Sequence, residues 1–480
     1  MSHEPLPAEA GLTPPSPEPV GLWRAVRDSL RGVQQDYTQG SIGRAITLLA
    51  IPMILEMSME SLFAVVDIYF VSKLGADAAA TVGLTESLLT IIYGLAIGLS
   101  MATTAMVARR VGEKDLEGAR TAAVQAIILS LVLIVPISIA GVVWAPDLLR
   151  LMGAPPSVIA TGSGYTAVMF GGSVSIFLLF VINAIFRGAG DPSVSMRSLW
   201  LANLLNIVLC PCFIFGWGPF PALGVLGAAV ATTIGRSSGV VYQLWALRRG
   251  SSRIVLGLRD LRRLEGGLIL HLLRVATPAM FQFLIATASW LGLVRIIASF
   301  GSSALAGYTI AIRVVIFAIL PSWGLSNAAA TLVGQNLGAE RPDRAESSVW
   351  RSGFYNMIFL GLVGAVFLFL AEPILRLFTS DPEVLRYGVS CLRWVSCGFP
   401  FYAWGMVMVQ AFNGAGDTWT PTWINLGCYW LFQIPLAWAL AHPFGLESTG
   451  VFLAIAIAES TLAVVGMVAF RRGRWKERRI

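Results

Sequence analysis

Charge is scarce in this sequence. Asp, Glu, Lys and Arg make up 13% of its 480 residues, about half of the roughly 25% found in an average soluble domain. That is too little to clothe a water-facing surface. Histidine is scarcer: His3, His271 and His442 stand far apart in the chain. The five cysteines (Cys210, Cys212, Cys391, Cys397 and Cys428) lie within or beside apolar segments. Their spacing fits neither a disulfide framework nor, with the histidines, a metal site. No His-rich, Ser/His/Asp or paired-Cys constellation is present, which argues against an enzyme and leaves no cofactor to expect.

What the chain does have is apolar length. Hydrophobic residues make up 56% of it, and mean hydropathy is +0.72. Runs of about 18 or more apolar residues, each able to cross about 30 Å of hydrocarbon, recur from Ala45 to Phe470. The sequence predicts an all-α polytopic membrane protein with twelve transmembrane helices in two six-helix bundles. The first six are expected near 45–72, 81–108, 121–145, 157–186, 193–216 and 224–247. The second six fall near 271–299, 306–334, 349–371, 383–412, 418–441 and 449–471. Residues 1–40, rich in Pro and Glu and without an apolar signal-type core, read as a disordered cytoplasmic tail carrying a short surface helix through 23–27. The first lobe then occupies 41–247, a cytoplasmic linker 248–270, the second lobe 271–471 and a basic tail 472–480.

Lys and Arg collect on the loops that share a side with both termini, and only Lys73, Arg150, Arg376 and Arg386 fall opposite. The asymmetry predicts cytoplasmic termini. It also assigns the net charge of +7 to the lipid surface rather than to nucleic acid.

One phrase occurs twice: FRGAGD from Phe186 and FNGAGD from Phe412, 226 residues apart. At the same offset Pro52 meets Pro278, Gly75 meets Gly301, Gly98-Leu99-Ser100 meets Gly324-Leu325-Ser326, Gly112 meets Gly338, and Gly224-Val225 meets Gly450-Val451. Six spans return a chain to its starting side, so the halves are parallel repeats about an axis along the membrane normal, with a cleft between them. The glycines permit sharp helix ends, and Asp191 and Asp417 are expected to cap the helices that follow.

Ionisable residues inside the spans are the functional candidates. Glu56, Glu60 and Asp67 share the first span; at about 100° per residue they lie within roughly 40° of one another, on one stripe. A carboxyl held there can load a proton from one side and release it to the other. Glu56 and Glu60 either contact a cationic substrate or pair with an arginine, and Glu86 in the second span resembles them. Asn203, Asn206 and Thr232 are polar groups of the fifth and sixth spans within reach of the stripe. Arg295 and Arg313, inside second-lobe spans, are expected to neutralise Glu56, Glu60 or Glu86 across the cleft, or to bind an anionic group. Aromatic and Met side chains such as Trp290, Trp323, Tyr402 and Met406 are candidates for a cleft wall that attracts organic cations.

Four stretches together carry a resemblance: Pro52 followed fifteen residues later by Asp67, AATLVGQNLGAERPDRAE at 329–346, NLLNIVLCPCFIFG at 203–216 with GVLGAAVAT at 224–232, and the doubled Gly-Asp phrase. In these the chain resembles the multidrug and toxic compound extrusion (MATE) family of bacterial type. The resemblance implies a V-shaped twelve-helix exporter of the bacterial inner membrane that exchanges amphipathic organic cations for H⁺ or Na⁺. It singles out Asp67 as the coupling residue and Asn206 as part of a cation site. Four positions after Asn206 the family usually has Asp or Asn; this chain has Cys210. A thiol is a poor ligand for a hard cation, so H⁺ is preferred over Na⁺. At the repeat offset the three acids become Gln282, Ala286 and Leu293, which places coupling in the first lobe. The substrate cleft is expected to include Glu56, Glu86, Gln282, Tyr402 and Arg313. The self-contained pair of lobes fits a monomer. The alternative within transport is a flippase of a lipid-linked saccharide, which basic cleft residues such as Arg295 and Arg313 would favour.

Overall fold

The computed structural model describes residues 22–33, 35–250, 253–257, 260 and 264–480. The expected tail at 1–21 lies outside the described residues, as do 251–252, 258–259 and 261–263 of the expected linker. Everything else is helix and short turns. A surface helix α1 (Leu22–Arg31) precedes α2 (Ile42–Ser72), α3 (Ala76–Gly112), α4 (Leu116–Val143), the short α5 (Ala145–Leu151), α6 (Pro156–Ala189), α7 (Pro192–Phe215) and α8 (Val225–Arg249). The second half repeats the scheme with α9 (Gly266–Ala298), α10 (Ser302–Gly338), α11 (Pro342–Arg376), α12 (Pro382–Cys397) and α13 (Phe399–Gly414). It ends with α14 (Trp419–Asn425), a π-helical stretch Leu426–Gln433, α15 (Ile434–Ala441) and α16 (Glu447–Arg471).

Ten of these units are long and apolar enough to cross a membrane, and α12 with α13, bent by 58° at Gly398, makes an eleventh. The twelfth expected span is α8. Its Gly, Ser and Thr residues around Arg236 lower its apolarity, and it is instead packed against α6 and α7. A helix that carries a buried arginine cannot also be a uniformly greasy one. The helices form two lobes, each with its own apolar core. One is centred on Phe177, Phe186, Leu99 and Ile182; the other on Tyr308, Phe399, Phe452 and Leu392.

Helix α1 includes the short surface helix expected at 23–27, whereas the rest of the described residues up to 40 are more ordered than the tail expected there. Helix α1 packs on α2, and the Tyr37 side chain is buried, its hydroxyl donating to the Gly190 carbonyl at 3.1 Å. Arg341 donates to the Thr38 carbonyl at 2.8 Å, and Arg344 reaches the carbonyls of Tyr37, Gln39 and Gly40. Burial works against the charge of Asp36, yet hydrogen bonds from the Thr38 hydroxyl and amide outweigh it and hold the carboxyl below the usual carboxylate range. The low hydrophobicity that suggested disorder is compensated by arginines from the opposite lobe.

The Gly-Asp turns close helices α6 and α13. Gly190 (φ +84°) and Gly416 (φ +80°) adopt left-handed backbone in both copies, which glycine reaches without steric cost. The expected caps do not form. Asp191 accepts from Ser193 Oγ at 2.8 Å; Asp417 accepts from Thr420 Oγ1 at 2.6 Å and pairs with Arg478 at 3.1 Å. Helix α7 opens on Pro192, which has no N–H to offer, and the hydroxyls and the guanidinium are stronger nearby donors.

The lobes meet at the face that carries α1 and the end of α16. There α3 and α10 cross by mutual backbone approach. A Cβ added to Gly112 would lie 2.0 Å from the Gln335 carbonyl oxygen, and one on Gly338 would lie 2.1 Å from that of Arg109. The two glycines are repeat counterparts, so the closure is itself symmetric. Gln335 Nε2 also donates to the Gly188 carbonyl at 2.9 Å, and Thr331 Oγ1 to that of Arg187 at 3.1 Å. Combined Gly112→Ala and Gly338→Ala substitution is therefore expected to prise this face apart. Spin labels at exposed Leu116 and Asp343 should report a longer distance in the variant; an unchanged distribution would show that the crossing is not what holds the closure.

Candidate functional site

Helix α2 presents its three carboxylates toward α6, α7 and α8, and the surroundings treat them differently. Glu56 is only 1% exposed. It accepts from Asn183 Nδ2 at 3.2 Å and lies 3.9 Å from the Arg187 guanidinium. Asn183 is in turn fixed by Gln243, whose Nε2 donates to it at 2.5 Å. Glu60 is held in a two-pronged pair with Arg236 at 2.6 and 3.2 Å and accepts a further bond from Asn203 at 3.1 Å. The buried Arg236 guanidinium rests on the Phe63 ring, 5.0 Å from its centroid. Burying a charge is expensive unless it is paired and hydrogen-bonded, and both of these are.

Asp67 is the exception. Half-buried near the far end of α2, it makes no ion pair or hydrogen bond among the described residues, and its Oδ1 is buried without a donor. Asn206 and Thr232 come together, but with each other: the amide donates to the hydroxyl at 2.9 Å. Cys210 is fully buried beside them on α7. Glu86 on α3 is exposed, and the charges of Asp67 and Arg236 both act on it. Among the described residues no three His, Cys, Asp or Glu side chains converge as a metal site.

The expected cross-cleft pairing by Arg295 and Arg313 is replaced by pairing within the first lobe. Arg295 and Arg313 are both exposed, and among the described residues neither makes an ion pair. Arg187 of α6 and Arg236 of α8 reach the stripe itself, whereas α10 packs closely on α2 around Met53 and Ser61 and leaves Arg313 exposed. Both were readable in principle. Arg187 is the variable residue of the repeated phrase, and Arg236 interrupts an otherwise uncharged span.

The repeat explains the first of these pairings. At the offset of 226, Glu56 becomes Gln282 and Arg187 becomes Asn413. In the second lobe those two amides bond each other, Gln282 Nε2 to Asn413 Oδ1 at 3.1 Å and Asn413 Nδ2 to Gln282 Oε1 at 3.3 Å. One contact is thus built twice, as an ion pair in one lobe and as an amide pair in the other.

Between the lobes lies a cavity of about 430 Å³. Gln282, Trp290, Trp323, Tyr402 and Met406 line it from the second lobe, and Ile97 and Met101 from α3 of the first. A narrower extension, about 90 Å³, continues to Arg187 and Asn413. The cavity wall also carries Glu459, on α16, with Tyr429 donating to it at 3.4 Å. The repeat gives this acid no marker, since its counterpart is Thr233. Its location inside an apolar span was the available signal.

The MatE family model matches residues 52–212 and again 278–439, two matches that start at the offset of the internal repeat. A probable multidrug resistance protein of Bacillus subtilis, YoeA, is 25% identical over 453 residues, covering 93% of this chain and 97% of its own. A probable multidrug resistance protein NorM of Thermotoga maritima is 26% identical, covering 92% and 94%. Among solved structures, one described as the outward-facing conformation of a multidrug resistance MATE family transporter superposes with a TM-score of 0.87 at 28% identity, covering 93% of this chain and 99% of that one. With both halves matched and the two-lobed architecture shared, the chain belongs to the MatE family of multidrug transporters.

Proposed function

We propose that this protein is a secondary antiporter of the bacterial inner membrane that exports amphipathic organic cations in exchange for protons, with Asp67 as the coupling carboxyl. The observation that carries the reading is the unequal treatment of the stripe. Glu56 and Glu60 are neutralised by Arg187 and Arg236, whereas Asp67 keeps a buried, donorless oxygen. A carboxyl without an ion pair or hydrogen bond of its own, felt by Arg236 only at a distance, is free to exchange a proton as its exposure to water changes. Na⁺ fits less well, because hard cations want several oxygen ligands; the Thr232 hydroxyl accepts from the Asn206 amide, and one turn further along α7 stands the Cys210 thiol where an oxygen ligand would be needed.

The excess of Lys and Arg at the face bearing α1 and the end of α16 supports a cytoplasmic placement of that face. The closed crossing of α3 and α10 then corresponds to an outward-open state, with the aromatic cavity in communication with the exterior. Rocking of the lobes about the cleft would expose it to the other side, and a monomer suffices for this. The test is purified protein in liposomes. An imposed pH gradient should drive tetraphenylphosphonium uptake, and a protonophore should abolish it. Uptake driven by a Na⁺ gradient at uniform pH, with no response to the pH gradient, would overturn the proton assignment.

A further inference from the structure

Among the described residues that line the cavity between the lobes there is one carboxyl group, and the first-lobe mechanism does not use it. Glu459 projects from α16 into a wall made by Gln282, Trp290, Trp323, Tyr402 and Tyr429. Among the described residues no Lys, Arg or His pairs with it; its hydrogen-bond donor is the Tyr429 hydroxyl at 3.4 Å. The titratable groups that face it are Tyr402 from α13 and Cys428 and Tyr429 from the π-helical stretch. Helices α9, α10 and α12 present only uncharged side chains to the space around it. Its situation is the reverse of that of Glu56 and Glu60, each of which has a dedicated arginine. The π-helical stretch is what turns Tyr429 toward α16. Such irregular turns inside a helix recur at functional sites because they re-aim a side chain.

A carboxylate left ionised in an apolar aromatic cavity is costly. Two events remove that cost: a proton on the carboxyl, or a cation beside it. Aromatic faces favour a diffuse organic cation over a small hydrated ion. We infer that Glu459 is the counter-charge for a cationic substrate in the second-lobe cavity, protonated when the cavity is empty and ionised when an organic monocation enters. In the exchange the carboxyl O–H bond breaks, the proton passes to water in the cleft and the cation takes its place, so the net charge of the cavity is unchanged. This inference rests on the reading of the chain as an exporter of organic cations and adds to it a recognition site distinct from Asp67.

Equilibrium binding to the purified full-length protein in detergent, with no gradient, tests it. The probes are tetraphenylphosphonium and the neutral triphenylphosphine oxide. The wild type should bind the cation more tightly as pH rises from 6 to 8, by up to about tenfold per unit, since one proton leaves for each cation bound. Glu459→Gln should weaken cation binding at pH 8 by about thirtyfold or more, the usual cost of removing one partner of a desolvated charge pair. It should also abolish the pH dependence while leaving the neutral probe unaffected. Asp67→Asn should keep both affinity and pH dependence, so a failure of the coupling assignment would be seen in transport and not in binding. Unchanged cation affinity, or persistent pH dependence, in Glu459→Gln overturns the inference. If that variant loses the neutral probe as well, Tyr429→Phe decides. Removal of the donor to the carboxylate should move the midpoint of pH-dependent binding upward, and an unmoved midpoint overturns the inference.

Discussion

Asp67→Asn is expected to reduce the accumulation of tetraphenylphosphonium in proteoliposomes under a pH gradient to the level of protein-free vesicles. A gradient of about two units is worth about 2.7 kcal/mol, which supports roughly hundredfold accumulation for one proton per substrate. Asparagine has nearly the shape of aspartate but no proton to exchange, so the whole of that coupling should vanish and the accumulation ratio should fall to about one. The fold should survive, because Asp67 makes no hydrogen bond or ion pair whose loss would be felt. Equivalent substitutions in its neighbours are not interchangeable with this one. Glu60→Gln would strand the buried Arg236, and a defect there would mix misfolding with transport. Glu86 lies on α3, outside the α2 stripe, and the charges of Asp67 and Arg236 act on it, so a defect there would report on Asp67 only indirectly. Gradient-driven accumulation retained in a folded Asp67→Asn variant would remove Asp67 from the coupling role.

The helices and their duplication were legible because lipid imposes one rule on every span: about twenty apolar residues with all backbone groups satisfied internally. Counting such runs locates the spans, and the glycine and proline pairs at the offset of 226 reveal the repeat. The sixth span, expected near 224–247, is present as α8 (Val225–Arg249), but its buried Arg236 and small residues make it less apolar than the other spans because the helix is packed in protein. The acids of α2 were legible as charges out of place, and their common stripe followed from helical geometry alone. Their partners were not. Which arginine meets which glutamate depends on how α6, α7 and α8 pack, and a span-by-span reading carries no distances between helices. Glu459 was missed for a different reason. Its repeat counterpart is Thr233, and its partner Tyr429 stands in the π-helical stretch Leu426–Gln433, a turn that no pattern of apolar residues marks. Residues 22–40 look too polar to order themselves, and their order comes from Arg341 and Arg344 of the other lobe, more than 300 residues away in sequence.

The repeat also yields a stability experiment with the protein as its own control. Arg187→Asn places in the first lobe the residue that the second lobe has at Asn413, but leaves Glu56 buried with its guanidinium gone. Removing one member of a buried ion pair typically costs about 3–5 kcal/mol, because the remaining charge is uncompensated. The single variant should therefore melt well below the wild type in detergent at pH 8. The deficit should shrink in acid, where a proton on Glu56 can replace the missing positive charge. Glu56→Gln combined with Arg187→Asn recreates the pairing that Gln282 and Asn413 already make at 3.1 and 3.3 Å. It should recover stability to within about 1 kcal/mol of wild type, since replacing both partners spares the penalty that removing one incurs. A double variant as unstable as the single one would mean that the two lobes, despite their shared phrase, do not present equivalent frames for this contact. Recovery would instead show that the ion pair is dispensable for folding, since the amide pair that the second lobe already makes can take its place.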